Sequence, residues 1–357
     1  MTRVAEFSVE RVQVLDPAGN LVDDAPEIAG DRESLVSMYR WMVLTRTFDA
    51  RAVSLQRTGQ LGTYASSLGQ EAVSVGLAEA MEDADVLLPS FREHGAQLYR
   101  GVTMTELLLF WGGDERGSDF SAARHDFPCC IPVGSHAPHA AGVAMAFQLR
   151  NVPQAAVCVF GDGATSKGEV YEAMNISGAW ELPAVFVACN NEWAISVPRT
   201  AQTTCETLAQ KALACGFEGI QVDGNDVIAV RQAAVRALEK ARRGGGPTFI
   251  EAQTYRLGDH TTVDDASRYR DDEEVGRHWE KEPLARLRNF LTHAHGWSRE
   301  EEEATIESCR ISVEASVEEY LATGIQPVET IFDYLHDELP SGYAGQRSAV
   351  LEADTEK

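Results

Sequence analysis

The sequence predicts an α/β protein with an open parallel sheet and helices on both faces of that sheet. Short, near-continuous apolar runs rich in Val, Ile and Phe are typical of buried parallel strands, and they cover residues 154–160, 183–189, 219–222 and 248–252. Helical stretches separate these runs, so the chain order is βαβαβαβ. With right-handed crossovers, the ligand site of such a sheet lies beyond the carboxyl ends of its strands.

The helices are predicted from apolar spacing and from their end signals. An apolar stripe at helical spacing predicts a long helix over residues 32–57, which Gly59 ends. A helix of small residues follows over 71–81, and the last crossover helix covers 226–243. Capping boxes, in which Ser or Thr precedes Glu or Gln by three residues, are expected to open three helices, at Ser67, Ser166 and Thr203.

The two ends of the chain differ from this regular middle. Residues 1–30 are expected to form an arm outside the main core, the α/β domain covers 31–340, and a tail covers 341–357. Within the domain, residues 255–272 are irregular and rich in Arg, Asp and Thr, as functional loops often are. Helices are predicted at 278–291 and 298–322, and their acidic residues are interpreted as solvated.

Composition excludes several classes of function. The 357 residues correspond to about two average domains or one large one. A net charge of −24 opposes binding to nucleic acid or to an anionic membrane. With no apolar leader or membrane-length run, we expect a cytoplasmic protein. The seven cysteines lack zinc-type spacing and are expected to be reduced core thiols, although Cys129 and Cys130 could form a redox pair.

Two polar motifs follow neighbouring strands of the predicted sheet. Asp162, between two glycines, comes directly after one strand, and Asn190 and Asn191 follow the next. Because both motifs are expected at the same edge of the sheet, their side-chain oxygens can converge on Mg²⁺. The two glycines let the backbone approach phosphate groups, and the positive end of the helix that follows points toward them. The alternative interpretation is a simple turn and a strand end. Neither GxGxxG, whose third glycine would fall at Ser166, nor GxxxxGK[ST] is present.

A GDG motif followed by NN is the thiamin diphosphate motif, and residues 161–196 resemble the alpha subunit of the thiamin-dependent first component of 2-oxo acid dehydrogenase complexes. The resemblance covers about residues 30–340 and implies the thiamin diphosphate-binding fold. Four further blocks carry it, and they begin at Gly69, Phe91, Gly134 and Tyr255.

The resemblance implies that Asp162 and Asn191 bind Mg²⁺ through their side chains and Trp193 through its backbone carbonyl. Phe91 replaces a family Tyr and cannot donate a hydrogen bond, and Cys189 replaces an Arg of some branched-chain members. The further thiamin diphosphate contacts implied are Phe91, Arg92, Val133, Gly163, Ala164, Arg256 and His260. For Val133 a plain core position is the alternative.

The loop containing Arg256, His260, Asp264 and Arg270 resembles the segment that orders over the cofactor and is phosphorylated in animal enzymes. His260 is the predicted catalytic residue, which would polarise a lipoyl disulfide or donate protons near neutral pH, oriented by Arg256 and Asp264. The alternative is a loop histidine without a task. His94 and His139 are interpreted instead as core or supporting histidines.

The function implied is that of a pyruvate dehydrogenase alpha subunit, which takes part in oxidative decarboxylation and in acetyl transfer to a lipoyl protein. The family's partners are a beta subunit, in an α2β2 heterotetramer, and the lipoyl acyltransferase. The beta subunit supplies the Glu that activates the cofactor. Branched-chain 2-oxo acid and acetoin dehydrogenases are alternatives. A non-catalytic subunit would be expected to lose Asp162, Asn191 or His260, and an NAD dehydrogenase would carry a dinucleotide fingerprint.

Overall fold

A parallel sheet between two layers of helices confirms the predicted fold class. The computed structural model describes residues 2–23, 25–333 and 336–355. The strands are β1 (Glu10–Val12), β2 (Val86–Leu88), β3 (Ala156–Gly161), β4 (Ala184–Asn190), β5 (Trp193–Ala194), β6 (Val197–Pro198), β7 (Glu218–Asp223) and β8 (Thr248–Gln253). The helices up to the third strand are α1 (Arg32–Arg57), α2 (Glu71–Ala80), α3 (His94–Tyr99), α4 (Met104–Gly112) and α5 (Ala137–Arg150). The later helices are α6 (Gly168–Ala179), α7 (Arg199–Gln202), α8 (Gln210–Ala214), α9 (Val227–Arg242), α10 (Asp272–Trp279), α11 (Pro283–His295), α12 (Arg299–Ala322), α13 (Thr330–Asp333) and α14 (Ala344–Thr355).

Successive residues of each central strand bury their side chains on opposite faces of the sheet. Within the described residues, six parallel strands lie in the order β1-β7-β8-β4-β3-β2. Val157 and Val159 of β3 belong to the core built with α1, α2, α9 and α11. Cys158 and Phe160 belong to the second core, built with α5, α6 and α8. This alternation is what period-2 strands require when helices cover both faces.

The register of β3 and β4 determines where the two polar motifs lie. Phe160 pairs with Ala188, and Gly161 pairs with Cys189. The strands are parallel and end one residue apart in register, so Asp162 and Asn191 leave the sheet at the same edge. The prediction that the two polar motifs lie at the same edge of the sheet is therefore confirmed.

The N-terminal segment is more deeply integrated than the sequence suggests. β1 pairs with β7, and Val14 and Leu15 are buried in the first core. Both of their backbone N–H groups donate to Oδ2 of Asp226, at 2.7 and 2.6 Å. The expected arm outside the core is thus wrong for residues 10–15. A three-residue edge strand carries too little periodicity to be recognised, and the same holds for β2.

The three expected capping boxes are wrong, although α2 and α6 begin within two residues of the expected positions. Ser67 donates to Asp49 instead, at 3.2 Å, and Gln70 precedes α2 without capping it. Ser166 ends a short 3-10 helix (Asp162–Ser166) before α6, and Thr203 accepts from the N–H of Cys205 at 3.3 Å. A capping pattern in the sequence shows only which residues could form the capping hydrogen bonds. In these three places the Ser or Thr hydroxyl is hydrogen-bonded to other groups instead.

The predicted helix over 278–291 is divided in two. Residue 278 belongs to α10, and α11 begins at Pro283, whose missing N–H is tolerated only in the first helical turn. Glu282 caps this start through the N–H groups of Leu284 and Ala285, at 3.1 and 2.5 Å. By contrast, α1 and α12 match the predicted spans closely.

The chain divides into two compact units, Met1–Val317 and Glu318–Lys357. The first contains the sheet and both cores, and the second contains α13 and α14. The expected boundaries at residues 30 and 340 stay predictions, because compactness alone does not show that a unit folds independently. No helix in the described part of the chain is long and apolar enough to cross a membrane.

We expect Asp226→Ala to destabilise the fold by about 3 kcal/mol. Asp226 caps α9 through Ile228 and Ala229, and its loss also leaves the N–H groups of Val14 and Leu15 buried without an acceptor. Asp31→Ala is the control, because exposed Asp31 caps only α1 and its loss should cost about 1 kcal/mol. Urea unfolding followed by circular dichroism measures both. Equal losses would contradict the assigned role of Asp226 in holding β1.

Candidate functional site

A cavity of about 410 Å³ opens where β3 and β4 end. It gathers side chains that are far apart in the sequence, from the loop before α3, from both strand ends and from the loop after β8. The predicted site residues that line it are Phe91, Arg92, Val133, Asp162, Gly163, Ala164, Asn191, Trp193 and His260. Arg256 is not part of this lining, but its guanidinium contacts the backbone of the cavity wall.

Asp162 is the acidic group at the end of β3 in the cavity. It follows β3 directly, opens the 3-10 helix and is buried, and its Oδ2 accepts from Nε2 of Gln202 at 2.8 Å. Burial raises the pKa of this carboxyl. A bound cation would oppose that shift by stabilising the ionised form. Gly163 is required beside it, because a Cβ there would lie 2.7 Å from that of Ala194.

Asn191 and Trp193 form the opposite wall through a tight turn. The Oδ1 of Asn191 accepts from the N–H of Trp193 at 3.3 Å. Glu192 and Ile195 adopt positive φ angles of 69° and 56°, a conformation that is costly for a β-branched residue such as Ile195. Arg256 stabilises this strained turn by donating to the carbonyls of Trp193 and Ile195, at 3.2 and 2.8 Å.

Two buried arginines lie beside the cavity without acidic partners. The exposed fractions of Arg92 and Arg256 are 5% and 1%, and among the described residues neither guanidinium forms an ion pair. Arg92 donates instead to the carbonyls of Ser66 and His260, at 2.5 and 2.6 Å. Burial, together with the charge of Arg256, lowers the pKa of Arg92 to about 10. Buried cations whose hydrogen-bond partners are all neutral groups favour an anionic ligand.

His260 is held in one tautomer by these arginines. Its Nδ1 lies 2.9 Å from Nη2 of Arg92, and because a guanidinium can only donate, Nδ1 must accept. The ring proton is therefore on Nε2. Burial, followed by the charges of Arg92 and Arg256, lowers the pKa of His260 to about 4. In the absence of a bound anion the ring is therefore neutral at pH 7, and the expected titration beside a diphosphate stays a prediction.

The loop that presents His260 is ordered by its own side chains. Asp264 accepts from the backbone N–H of His260 at 2.9 Å, and from the hydroxyl of Tyr269. Arg270 donates to the carbonyls of Arg256 and Gly258, the latter at 3.0 Å. Asp264 thus fixes the backbone of the loop, while Arg92 and Arg256 orient the ring, at 2.9 and 3.4 Å from Nδ1.

Other sequence predictions have mixed outcomes. His94 is a core residue, with Nδ1 3.2 Å from the hydroxyl of Tyr64, whereas His139 is exposed on α5 and not in the core. Val133 is 46% exposed, so the alternative of a core valine is wrong.

Cysteines 158, 189, 215 and 309 are buried, and all seven cysteines in the chain are free thiols. Burial raises the pKa of Cys129 to about 12, which is typical of an unreactive thiol.

The sequence analysis did not assign three cavity residues, Gln70, Gln202 and Glu93. Gln70 bonds to Asn191, and Gln202 bonds to Asp162. Glu93 accepts from the hydroxyl of Ser90 at 2.8 Å, and burial raises its pKa to about 7. Gln70 and Glu93 stand within two of the quoted family blocks, so those blocks were an available signal. Gln202 has no local signal.

Comparison with known proteins matches the sequence of this chain to a family. The family described as "Dehydrogenase E1 component" matches residues 39–329. The "Pyruvate dehydrogenase E1 component subunit alpha" of Staphylococcus aureus is 39% identical over 349 residues, 97% of this chain and 94% of the relative. The protein of the same name from Staphylococcus epidermidis is 38% identical over the same length and the same shares.

We expect Arg92→Met to raise the pKa of His260 from about 4 toward its ordinary value of about 6.5. Removing a neighbouring positive charge makes protonation of the ring less costly. Nuclear magnetic resonance of histidine-labelled protein across pH 3–8 measures the change. Arg199→Met is the control, since Arg199 lies beside Glu192, at 3.8 Å, and should leave the titration unchanged. An unchanged pKa in Arg92→Met would show that Arg92 does not control the ring.

Proposed function

The chain belongs to the dehydrogenase E1 component family, and from this premise we propose that it is the alpha subunit of a pyruvate dehydrogenase. The family is one of thiamin diphosphate-dependent 2-oxo acid dehydrogenases. The reaction proposed is oxidative decarboxylation of pyruvate with transfer of the acetyl group to a lipoyl protein. The relatives named for pyruvate, each matched over nearly the whole chain, support this substrate.

The observation that carries the proposal is the pair of buried arginines that form no ion pair within the described part of the chain. A diphosphate supplies the negative charge that Arg92 and Arg256 lack, and it fits beside the carboxylate, amide and carbonyl oxygens that Mg²⁺ prefers. When bound, thiamin diphosphate supplies a carbon nucleophile and accepts the electrons released when carbon dioxide leaves. The residues present therefore fit the cofactor.

The metal ligands proposed are the side chains of Asp162 and Asn191 and the carbonyl of Trp193. Asp162 is the only charged member of this set, so its ionised carboxylate is proposed to dominate the attraction of the cation. The carbonyl of Trp193 already accepts one hydrogen bond from Arg256 and retains a second lone pair. Members of the family that this chain resembles often have Tyr at position 193, and a ligand from the main chain tolerates Trp instead.

The remaining proposed cofactor contacts divide between phosphate and ring. Arg92, Gly163 and Ala164 face the phosphate end, and the backbone of exposed Val133 is proposed to contact the aminopyrimidine. Phe91 offers only its ring, which lies over the guanidinium of Arg92 at 5.2 Å. Arg256 is proposed to influence the cofactor indirectly, because its guanidinium contacts His260 and the strained turn that carries Trp193.

His260 is proposed to donate from Nε2 during acyl transfer. Its neutral ring keeps a proton on the nitrogen that Arg92 does not contact. A diphosphate beside the arginines would offset part of their charge and raise the pKa of the ring from about 4. His260 would then polarise a lipoyl disulfide or donate a proton to it.

The partners proposed are a beta subunit, in an α2β2 assembly, and the lipoyl acyltransferase. The localisation proposed for this chain is cytoplasmic. The cofactor needs a Glu at its pyrimidine, and we expect that Glu on the beta subunit. Branched-chain 2-oxo acid and acetoin dehydrogenases are the alternatives. Cys189 lines the cavity as an uncharged residue where some branched-chain members have Arg, which favours pyruvate.

We expect Asp162→Ala to abolish Mg²⁺-dependent binding of thiamin diphosphate. The change deletes a ligand that touches the cation, so the loss should exceed the roughly 10–100-fold caused by residues that only support ligands. Calorimetry of the α/β assembly measures the affinity. Asp119→Ala, at an exposed carboxylate paired with Arg124, is the control. Unchanged affinity in Asp162→Ala would remove Asp162 from the metal site.

Release of carbon dioxide tests the proposed function directly. The assembled enzyme should decarboxylate pyruvate much faster than 3-methyl-2-oxobutanoate, and the chain alone should be inactive without the Glu of its partner. The reverse substrate preference would favour the branched-chain alternative. Robust release by the isolated chain would refute the proposed division of the active site between two subunits.

A further inference from the structure

Each proposed side-chain ligand of the cation is held by one glutamine from another part of the chain. Gln202, at the end of α7, donates from Nε2 to Oδ2 of Asp162 at 2.8 Å. Gln70, immediately before α2, accepts at Oε1 from Nδ2 of Asn191 at 3.3 Å. Both glutamines line the cavity.

The polarity of these contacts is fixed by their neighbours. The N–H of Trp193 can only donate, so the atom of Asn191 that it contacts is Oδ1, and the other amide atom is Nδ2. Nδ2 in turn requires an acceptor, so Gln70 must present its oxygen. At the second contact a carboxylate can only accept, so Gln202 must present its nitrogen. The hydroxyl of Ser166, 3.5 Å from Oε1 of Gln202, agrees with that orientation.

Glutamine is chemically suited to both positions. The side-chain oxygen of Gln70 supplies the acceptor that Nδ2 of Asn191 requires. An uncharged donor beside Asp162 fixes the carboxylate without neutralising it, as Lys or Arg would do. Groups that are already oriented lose little conformational freedom on binding, and outer residues of this kind typically change metal affinity by about 10–100-fold.

We propose that Gln70 and Gln202 are positioning residues that preorient Asn191 and Asp162 for the divalent cation. The proposal rests on the proposed function, because it takes those two side chains as the metal ligands. It adds a second layer to the site, contributed by two segments that are far apart in the sequence. Neither glutamine is required to touch the cation or the diphosphate.

Binding of Mn²⁺ to the α/β assembly in the presence of thiamin diphosphate tests this proposal. Electron paramagnetic resonance reports both the free Mn²⁺ and the symmetry of the ligands around the bound ion. Gln202→Met and Gln70→Met remove the donor and the acceptor at nearly constant volume. We expect each to weaken Mn²⁺ binding by about 10-fold or more and to broaden the spectrum of the bound ion.

Two further variants separate positioning from packing. Gln70→Glu keeps an oxygen for Asn191 and should bind Mn²⁺ within about threefold of the wild type. Gln97→Met is the matched control, because Gln97 is equally buried and also has an unpartnered Nε2 among the described residues, but it lies outside the cavity lining. We expect it to leave Mn²⁺ affinity unchanged even if stability falls.

The outcomes distinguish this proposal from the one on which it depends. The side chain at position 202 is only half-buried, so Gln202→Met should not disturb folding. Wild-type affinity for Mn²⁺ in Gln202→Met would overturn the positioning role, and so would an equal loss of Mn²⁺ affinity in Gln97→Met. If the Gln70→Met protein does not assemble, Gln70→Glu replaces it in the test, and a large loss of Mn²⁺ affinity in that variant would also contradict the proposal. A wild-type assembly that binds no Mn²⁺ with thiamin diphosphate would refute the proposed function, and this inference with it.

Discussion

Two guanidinium groups that are buried near each other, and that form no ion pair with any described residue, are the constraint on which the site depends. Arg92 joins the loop before α3 to the His260 loop, and Arg256 joins that loop to the turn after β4. Carbonyl oxygens satisfy their hydrogen bonds but not their charge, and burying an unpaired charge is costly. The fold therefore brings three separate segments together around a positive centre whose energy falls when an anion binds.

The same positive centre determines the chemistry of its neighbours. Together with burial, which is the larger cause, it keeps the imidazole of His260 neutral, and it selects the tautomer of the ring. Asp162 lies across the cavity with a pKa raised by burial, which makes it responsive to a cation. The acid and the histidine thus respond to ligands of opposite charge within one cavity.

Local patterns in the sequence predicted the sheet and the convergence of Asp162 and Asn191, because strand periodicity and strand ends are properties of short segments. Properties that arise between distant segments were not predictable in the same way. The pKa of His260 depends on Arg92, 168 residues earlier, and the hydroxyl of Ser67 binds Asp49 rather than a helix end. β1 is too short to show a pattern, and its place depends on Asp226, more than two hundred residues later.

The placement of β1 has a practical consequence for producing this protein. The family match begins at residue 39, so a shortened chain cut to the matched region would lack β1 and the buried Val14 and Leu15. Such a chain would leave the hydrogen-bonding edge of β7 open to solvent and available to a second molecule. Open parallel edges of this kind recruit other strands, so the trimmed protein would tend to aggregate even with its catalytic cavity unaltered.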